Sequence, residues 1–182
     1  MVFHSPASKK APAQFPNDRS SDKGLDLDNY VPAFLTFLAN KLSSGASSVY
    51  RRRFGIGITD WRIMALLAIE PWIPAGRICE VIGLDKAAVS RSVRDMAALG
   101  LVETQVQECD QRRQFIALTR KGVAMHDAVV GIALEREHLL IGDFSEEERR
   151  LLVSMLARML SRIPVVNACS DADATESDQA AD

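Results

Sequence analysis

The sequence contains no apolar run that approaches the roughly 20 residues a bilayer span requires, so no membrane-crossing segment is expected. Its N-terminal stretch carries Lys and Pro but lacks the apolar centre of a signal peptide. Cysteine is scarce. Cys79, Cys109 and Cys169 form neither a C-x-x-C pair nor a metal-ligand spacing. An odd count in a chain without a signal peptide points to a reducing cytoplasm. A G-x-S-x-G nucleophile motif and a P-loop are both missing. One Glu-x-x-His pair is present, Glu135 and His138. A di-iron bundle needs two such helices and further carboxylates, so no metal site and no cofactor is expected. An enzyme has no assembled site in this chain.

A positive charge excess is missing as well. The chain has 22 basic and 24 acidic residues, for a net charge of −2. Part of this comes from the C-terminal tail, where Asp171, Asp173, Glu176, Asp178 and Asp182 stand without a basic residue. With those five set aside, the balance is +3. Any binding of nucleic acid must therefore rest on where the arginines stand, not on global charge. The rest is ordinary. At 182 residues, 47% hydrophobic and 25% charged, the chain is long enough for one domain with a proper core.

The informative stretch runs from Ile73 to Thr119. Ala75 to Ile82 reads as a short helix that Gly83 ends. Asp85 stands at the N-cap of a second helix, Lys86 to Leu99, which Gly100 stops. Val89, Val93 and Met96 recur at i, i+4 and i+7 and form an apolar stripe. Ala87, Ser90, Arg91, Arg94 and Ala98 fall on roughly the opposite side, a small, polar and positive face. Two helices joined by a short Gly-containing turn are a helix-turn-helix, whose second helix enters the major groove. Leu101–Val106 and Gln114–Leu118 then alternate apolar and polar, as a hairpin does. Its polar tip, residues 107–113, ends in D-Q-R-R, so the whole reads as a winged helix. An arginine at such a tip suits the negative potential of a narrow minor groove.

The chain here resembles the MarR-type transcriptional regulators, the multiple-antibiotic-resistance repressors. The resemblance rests on TDWRIMALLAI (59–69), GLDKAAVSRSVRDMAALGLVE (83–103), DQRR (110–113) and LTRKG (118–122), in that order, and covers about Asp28 to Ser161. It implies a homodimeric DNA-binding regulator, often a repressor that a small ligand or an oxidant releases. Lys86, Ala87, Ser90, Arg91 and Arg94 would then serve the major groove. Asp110, Arg112 and Arg113 match the family's D-x-R-R wing. The family's effector usually touches the first, second and fifth helices; the matching side chains are Phe34, Leu38, Trp61, Met64 and His126. The effector is unidentified, with aromatic compounds as a candidate class. Relatives that sense peroxides carry a cysteine near the start of the first helix, where this chain has Phe34, Phe37 and Leu38 instead. Cys109, beside Asp110 and near two arginines, leaves a cysteine-based redox sensor as an alternative. Cys79, among Ile78, Val81 and Ile82, reads as a buried small hydrophobe. A second alternative is a ligand-insensitive architectural or protein-interaction module on the same fold.

The expected architecture is α+β, mostly helical: a winged helix-turn-helix over about 55–119, and a dimerisation lobe from helices at about 28–52 and 120–162. Asp28 or Asn29 would cap the first helix, whose apolar face is Val31, Phe34, Leu35, Leu38 and Leu42. That face exceeds what a helix-turn-helix covers and suggests a helix from a second subunit. Arg51, Arg52 and Arg53 complement the negative end of this helix. Thr59 would cap a helix from Asp60 to Ile69, with Trp61, Met64, Ala65 and Ala68 on one face and Pro71 beyond its end. Thr119 would cap the helix to Ile141. Ser145 and Glu148 form a capping box for a last helix that ends at Pro164. Residues 1–24 read as a disordered arm, either solvated or touching DNA, and 164–182 as an acidic disordered tail. Partners implied are double-stranded palindromic DNA, a second copy of the chain and the small effector.

Overall fold

The computed structural model describes residues 25–27, 29–107 and 110–178, with side chains for 25–27, 29–106 and 114–168. The expected arm at 1–24 and Cys109 lie outside the described residues. The elements in order are α1 (Val31–Phe54), α2 (Ile58–Ile69), β1 (Ile73–Pro74), α3 (Ala75–Ile82), α4 (Lys86–Ala98), β2 (Val102–Gln107), β3 (Asp110–Leu118), α5 (Arg120–Ile141) and α6 (Glu146–Asp178). They fall into two compact units, Met1–Val129 and Val130–Asp182.

The first unit is built around α2, which packs against α1, α3, α4 and β3. Ile63, Met64, Leu66 and Leu67 of α2 are buried. The expected single face of Trp61, Met64, Ala65 and Ala68 is thus too narrow. A helix with neighbours on several sides is apolar nearly all round, and its pattern does not reveal one stripe. Its start also differs from expectation. Gly57 precedes the first turn, and the Asp60 carboxylate accepts its N–H at 2.7 Å, so Thr59 lies inside the helix and is not its cap. α1 likewise begins later, at Val31 after Tyr30, with Pro32 in its first turn. Its C-terminus carries Arg51, Arg52 and Arg53 and closes on Gly55 at φ 72°.

The sheet has the order β1-β3-β2 and is antiparallel throughout. Val102 pairs with Leu118 and Thr104 with Ile116; the register shifts between Val106 and Gln107. β1 was not expected. It is two residues long and contains Pro74, which a strand tolerates only at a sheet edge. The chain reaches it through Trp72, whose φ of 59° is left-handed.

α4 ends and α5 begins at one place. Gly100 has φ 68°, Leu101 N–H donates to the Met96 carbonyl at 2.9 Å, and Gly100 N–H to that of Ala97. This pattern closes a helix and brings an apolar residue in behind it, here the fully buried Leu101. Thr119 N–H donates to the Leu101 carbonyl at 3.0 Å, and the Thr119 hydroxyl to that of Gly100 at 2.7 Å. The same hydroxyl accepts from Gly122 N–H at 3.0 Å, capping α5 as expected. Lys121 Nζ donates to the Leu99 carbonyl at 2.7 Å.

In the second unit the capping box is complete: Ser145 N–H donates to Glu148 Oε2 at 2.7 Å and Glu148 N–H to Ser145 Oγ at 3.2 Å. That backbone bond, then the hydroxyl, holds the Glu148 carboxyl below its ordinary range. Among the described residues of this unit none is buried. Leu139 is 79% exposed and Leu160 72%, and Leu151, Met155 and Leu156 are exposed as well. The expected end at Pro164 is corrected, since α6 continues through Pro164 to Asp178. Proline removes one N–H bond, at a cost of about 3 kcal/mol, but does not forbid the backbone from continuing. The absence of a long apolar run is corrected too. Glu146–Ala168, 23 residues, is long and apolar enough to cross a membrane by length and composition alone. Its first five residues, Glu146 to Arg150, are charged, and Arg158 and Arg162 interrupt the remainder without making it polar on average.

Gly122 tests this packing. A Cβ there would sit 1.9 Å from the Leu101 carbonyl oxygen, whereas one on Gly131, also in α5, would meet nothing within 4 Å. Gly122→Ala should destabilise by at least about 1–3 kcal/mol through overpacking. Gly131→Ala should stabilise by roughly 0.5–1 kcal/mol through helix propensity. Urea unfolding followed by circular dichroism should report the two opposite signs.

Candidate nucleic-acid interface

α3 and α4 meet at the turn the sequence marks. Gly83 caps α3 at φ 66°, its N–H on the Cys79 carbonyl at 2.9 Å. Asp85 Oδ1 accepts Ala88 N–H at 2.8 Å and starts α4. α4 then presents two unlike faces. Val89, Val93 and Met96 are buried at 0%, 8% and 1% exposure. Lys86, Ala87, Ser90, Arg91 and Arg94 are exposed, and the three basic side chains form no ion pair among the described residues. Their charge is left facing outward.

The fold gathers part of this set. A concavity of about 770 Å³ opens between α4, the α3 start and the hairpin. Lys86, Ser90 and Arg94 line one wall, Thr104 and Gln114 of the hairpin another, and Pro74, Ala75 and Gly76 a third. Ala87 and Arg91 are exposed on α4 outside it. Thr104 and Gln114 escaped the reading of the sequence. Their signal was period-two alternation: Gln114 and Ile116 share a sheet face, and Thr104 pairs with Ile116. Cys79 also lines the concavity and is half-buried, which corrects its expected full burial. For Asp110, Arg112 and Arg113 the strand backbone is described, and their side chains lie outside the described residues.

Among the described residues, one side-chain contact ties α3 to the scaffold and another ties the middle of α4. Arg77 of α3 reaches Glu70 beyond α2 at 3.1 Å and Glu80 at 3.4 Å. The Arg77 hydrogen bond lowers the Glu70 carboxyl below its usual range, and the same bond raises Arg77. The second bond was not anticipated. Ser92, the one buried polar residue among those described, donates its hydroxyl to Asp60 Oδ1, while Asp60 Oδ2 holds Gly57 N–H.

The expected effector residues are distributed unevenly. Trp61 and His126 stack with ring centroids 5.4 Å apart at 21°, and Tyr50 meets Trp61 edge-on at 5.9 Å. Phe34 is half-buried and Leu38 48% exposed. Met64 is fully buried and belongs to the core. None of the five lines the concavity beside α4.

A helix-turn-helix followed by an antiparallel hairpin, with a basic outer face on the second helix, defines a winged helix-turn-helix protein. A model of the MarR family matches residues 54–113. A MarR/EmrR family transcriptional regulator from Acinetobacter sp. ADP1 is 33% identical with a TM-score of 0.71, over 77% of this chain and 99% of that one. Transcriptional regulator HosA of Escherichia coli O157:H7 is 27% identical over 102 residues, 56% of this chain and 76% of the relative. MepR of S. aureus, solved as a complex with DNA, shares the fold at 21% identity and a TM-score of 0.64, over 75% of this chain and 98% of that one. The chain belongs to the MarR family: it is a DNA-binding transcriptional regulator and not an enzyme.

The Asp85 cap sets where α4 begins. Asp85→Ala should cost about 1 kcal/mol, and Asp85→Ser should recover most of it, because serine also caps. Thermal unfolding of the two variants beside the parent checks this.

Proposed function

We propose that the protein is a homodimer that binds a palindromic operator and represses transcription until a small molecule releases it. The observation that carries the DNA reading is the concavity in which Lys86, Ser90 and Arg94 face the hairpin. On this reading Ser90 and Arg94 read base edges and Lys86 and Arg91 grip phosphate. Ala87 lets the helix approach closely. Asp110, Arg112 and Arg113 serve the minor groove. An arginine entering a groove loses rotamer entropy, and a neighbouring carboxylate that keeps it extended reduces that loss.

Dimerisation is supported by apolar side chains that stand exposed among the described residues. Val31, Leu35 and Leu38 are exposed on α1, as are Leu139, Leu151, Met155, Leu156 and Leu160 in the second unit. Apolar faces of this extent mark interaction sites, and a two-fold dimer would share them between copies. A two-fold dimer in turn calls for an operator with two-fold symmetry. The effector reading is supported by the half-buried Trp61–His126 stack, and Phe34, Leu38 and Met64 are the further candidates that the family resemblance supplies.

The test is fluorescence anisotropy on a duplex that the protein itself selects from a random pool. Arg94→Ala should weaken binding by about 1–3 kcal/mol and relax specificity at one position per half-site. Arg91→Ala should weaken all duplexes alike. Unchanged affinity for Arg94→Ala would remove that side chain from the interface. Sedimentation velocity on the same samples should show a dimer, and a folded monomer would contradict the symmetric reading.

A further inference from the structure

α4 is held by two kinds of contact. Val89, Val93 and Met96 bury an apolar stripe, and apolar burial is nearly indifferent to direction. A stripe decides which side of a helix faces inward and leaves its rotation about the axis loosely set. A hydrogen bond has a preferred angle as well as a distance and fixes that rotation. Along the middle of α4 one such bond joins the helix to the scaffold, from Ser92 Oγ to Asp60 Oδ1. Ser92 lies two residues from Ser90, about 200° around the helix, and so almost opposite the outer face.

The acceptor is itself fixed. Asp60 Oδ2 holds Gly57 N–H at 2.7 Å, which ties the carboxylate to the corner between α1 and α2. A Cβ on Gly57 would lie 3.5 Å from Asp60 Oδ2 and 3.7 Å from Arg51 Nη2, so the end of α1 closes on the same corner. Trp61, the next residue, carries the stack on His126.

We propose that Asp60 and Ser92 are positioning residues that set the rotation of α4, and through it the fidelity of base reading. This rests on the reading of α4 as the helix that enters the major groove. With side chains reaching about 6 Å from the axis, a 20° rotation moves their tips by roughly 2 Å. A binding constellation tolerates about 0.5 Å. Loss of the tether therefore spoils contacts to bases while leaving the basic face to hold phosphate.

The experiment compares the parent, Ser92→Ala, Asp60→Asn and Arg94→Ala by anisotropy, at a temperature where circular dichroism finds all four folded. The probes are the selected duplex, its single-base-pair variants and an unrelated duplex of equal length. Ser92→Ala should lower the ratio of selected to unrelated binding by about 5- to 50-fold, the scale of one or two weakened base contacts, with unrelated binding unchanged. Asp60→Asn should retain the ratio, because its amide can accept from Gly57 and donate to the Ser92 hydroxyl. A merely structural role would lower the active fraction and weaken all duplexes alike. An unchanged ratio for Ser92→Ala, or a ratio lost in Asp60→Asn but kept in Ser92→Ala, overturns the proposal. If Arg94→Ala lowers the ratio and Ser92→Ala does not, positioning fails and base reading by α4 stands. If neither lowers it, both fall.

Discussion

The close approach of Gly122 to the Leu101 carbonyl is the constraint on which the reading head depends. At that point α4 ends, β2 begins and α5 starts, within a few residues' reach of one another. The left-handed Gly100 turns the chain, and the buried Leu101 anchors it from below. Thr119 bonds both carbonyls of the turn, so β3 returns to the place β2 left. A side chain on Gly122 would force the junction apart. The junction thus joins α4 to the hairpin, and these two elements supply facing walls of the concavity.

Local placement of charge resolves the chain's unpromising balance of −2. Arg77 is neutralised by Glu70 and Glu80 and serves the scaffold. Lys86, Arg91 and Arg94 have no such partner among the described residues, and they project from one side of a single helix. Near a polyanion such a face acts over roughly a Debye length, about 8 Å at physiological salt, where distant acidic residues are screened. Division of labour among like charges thus matters more than their sum.

Much of the fold was legible because local chemistry dictated it. Asp85 and Ser145 cap by side chains within three residues of the donors they serve, and Gly83 and Gly100 supply left-handed turns, so helix ends could be read directly. The stripe of Val89, Val93 and Met96 was equally plain. What escaped depends on partners remote in sequence. β1 forms because β3 offers an edge, although Pro71 and Pro74 argue against a strand. The Asp60–Ser92 bond spans 32 residues, and neither residue announces it. Thr104 and Gln114 look like ordinary surface positions until the hairpin folds them beside Arg94. α6 ran past Pro164 because a proline weakens a helix without specifying its end.

Dimethyl sulfate probing of the selected duplex tests the central claim most directly, since the reagent methylates guanine N7 in the major groove and adenine N3 in the minor groove. Two copies of a helix-and-wing head should protect guanine N7 in two half-sites about one helical turn, roughly 10 base pairs, apart or a multiple of it. Adenine N3 should be protected where the wings reach the minor groove. Protection of adenine N3 alone, or of guanine N7 in a single half-site, would contradict a dimer that reads the major groove with α4.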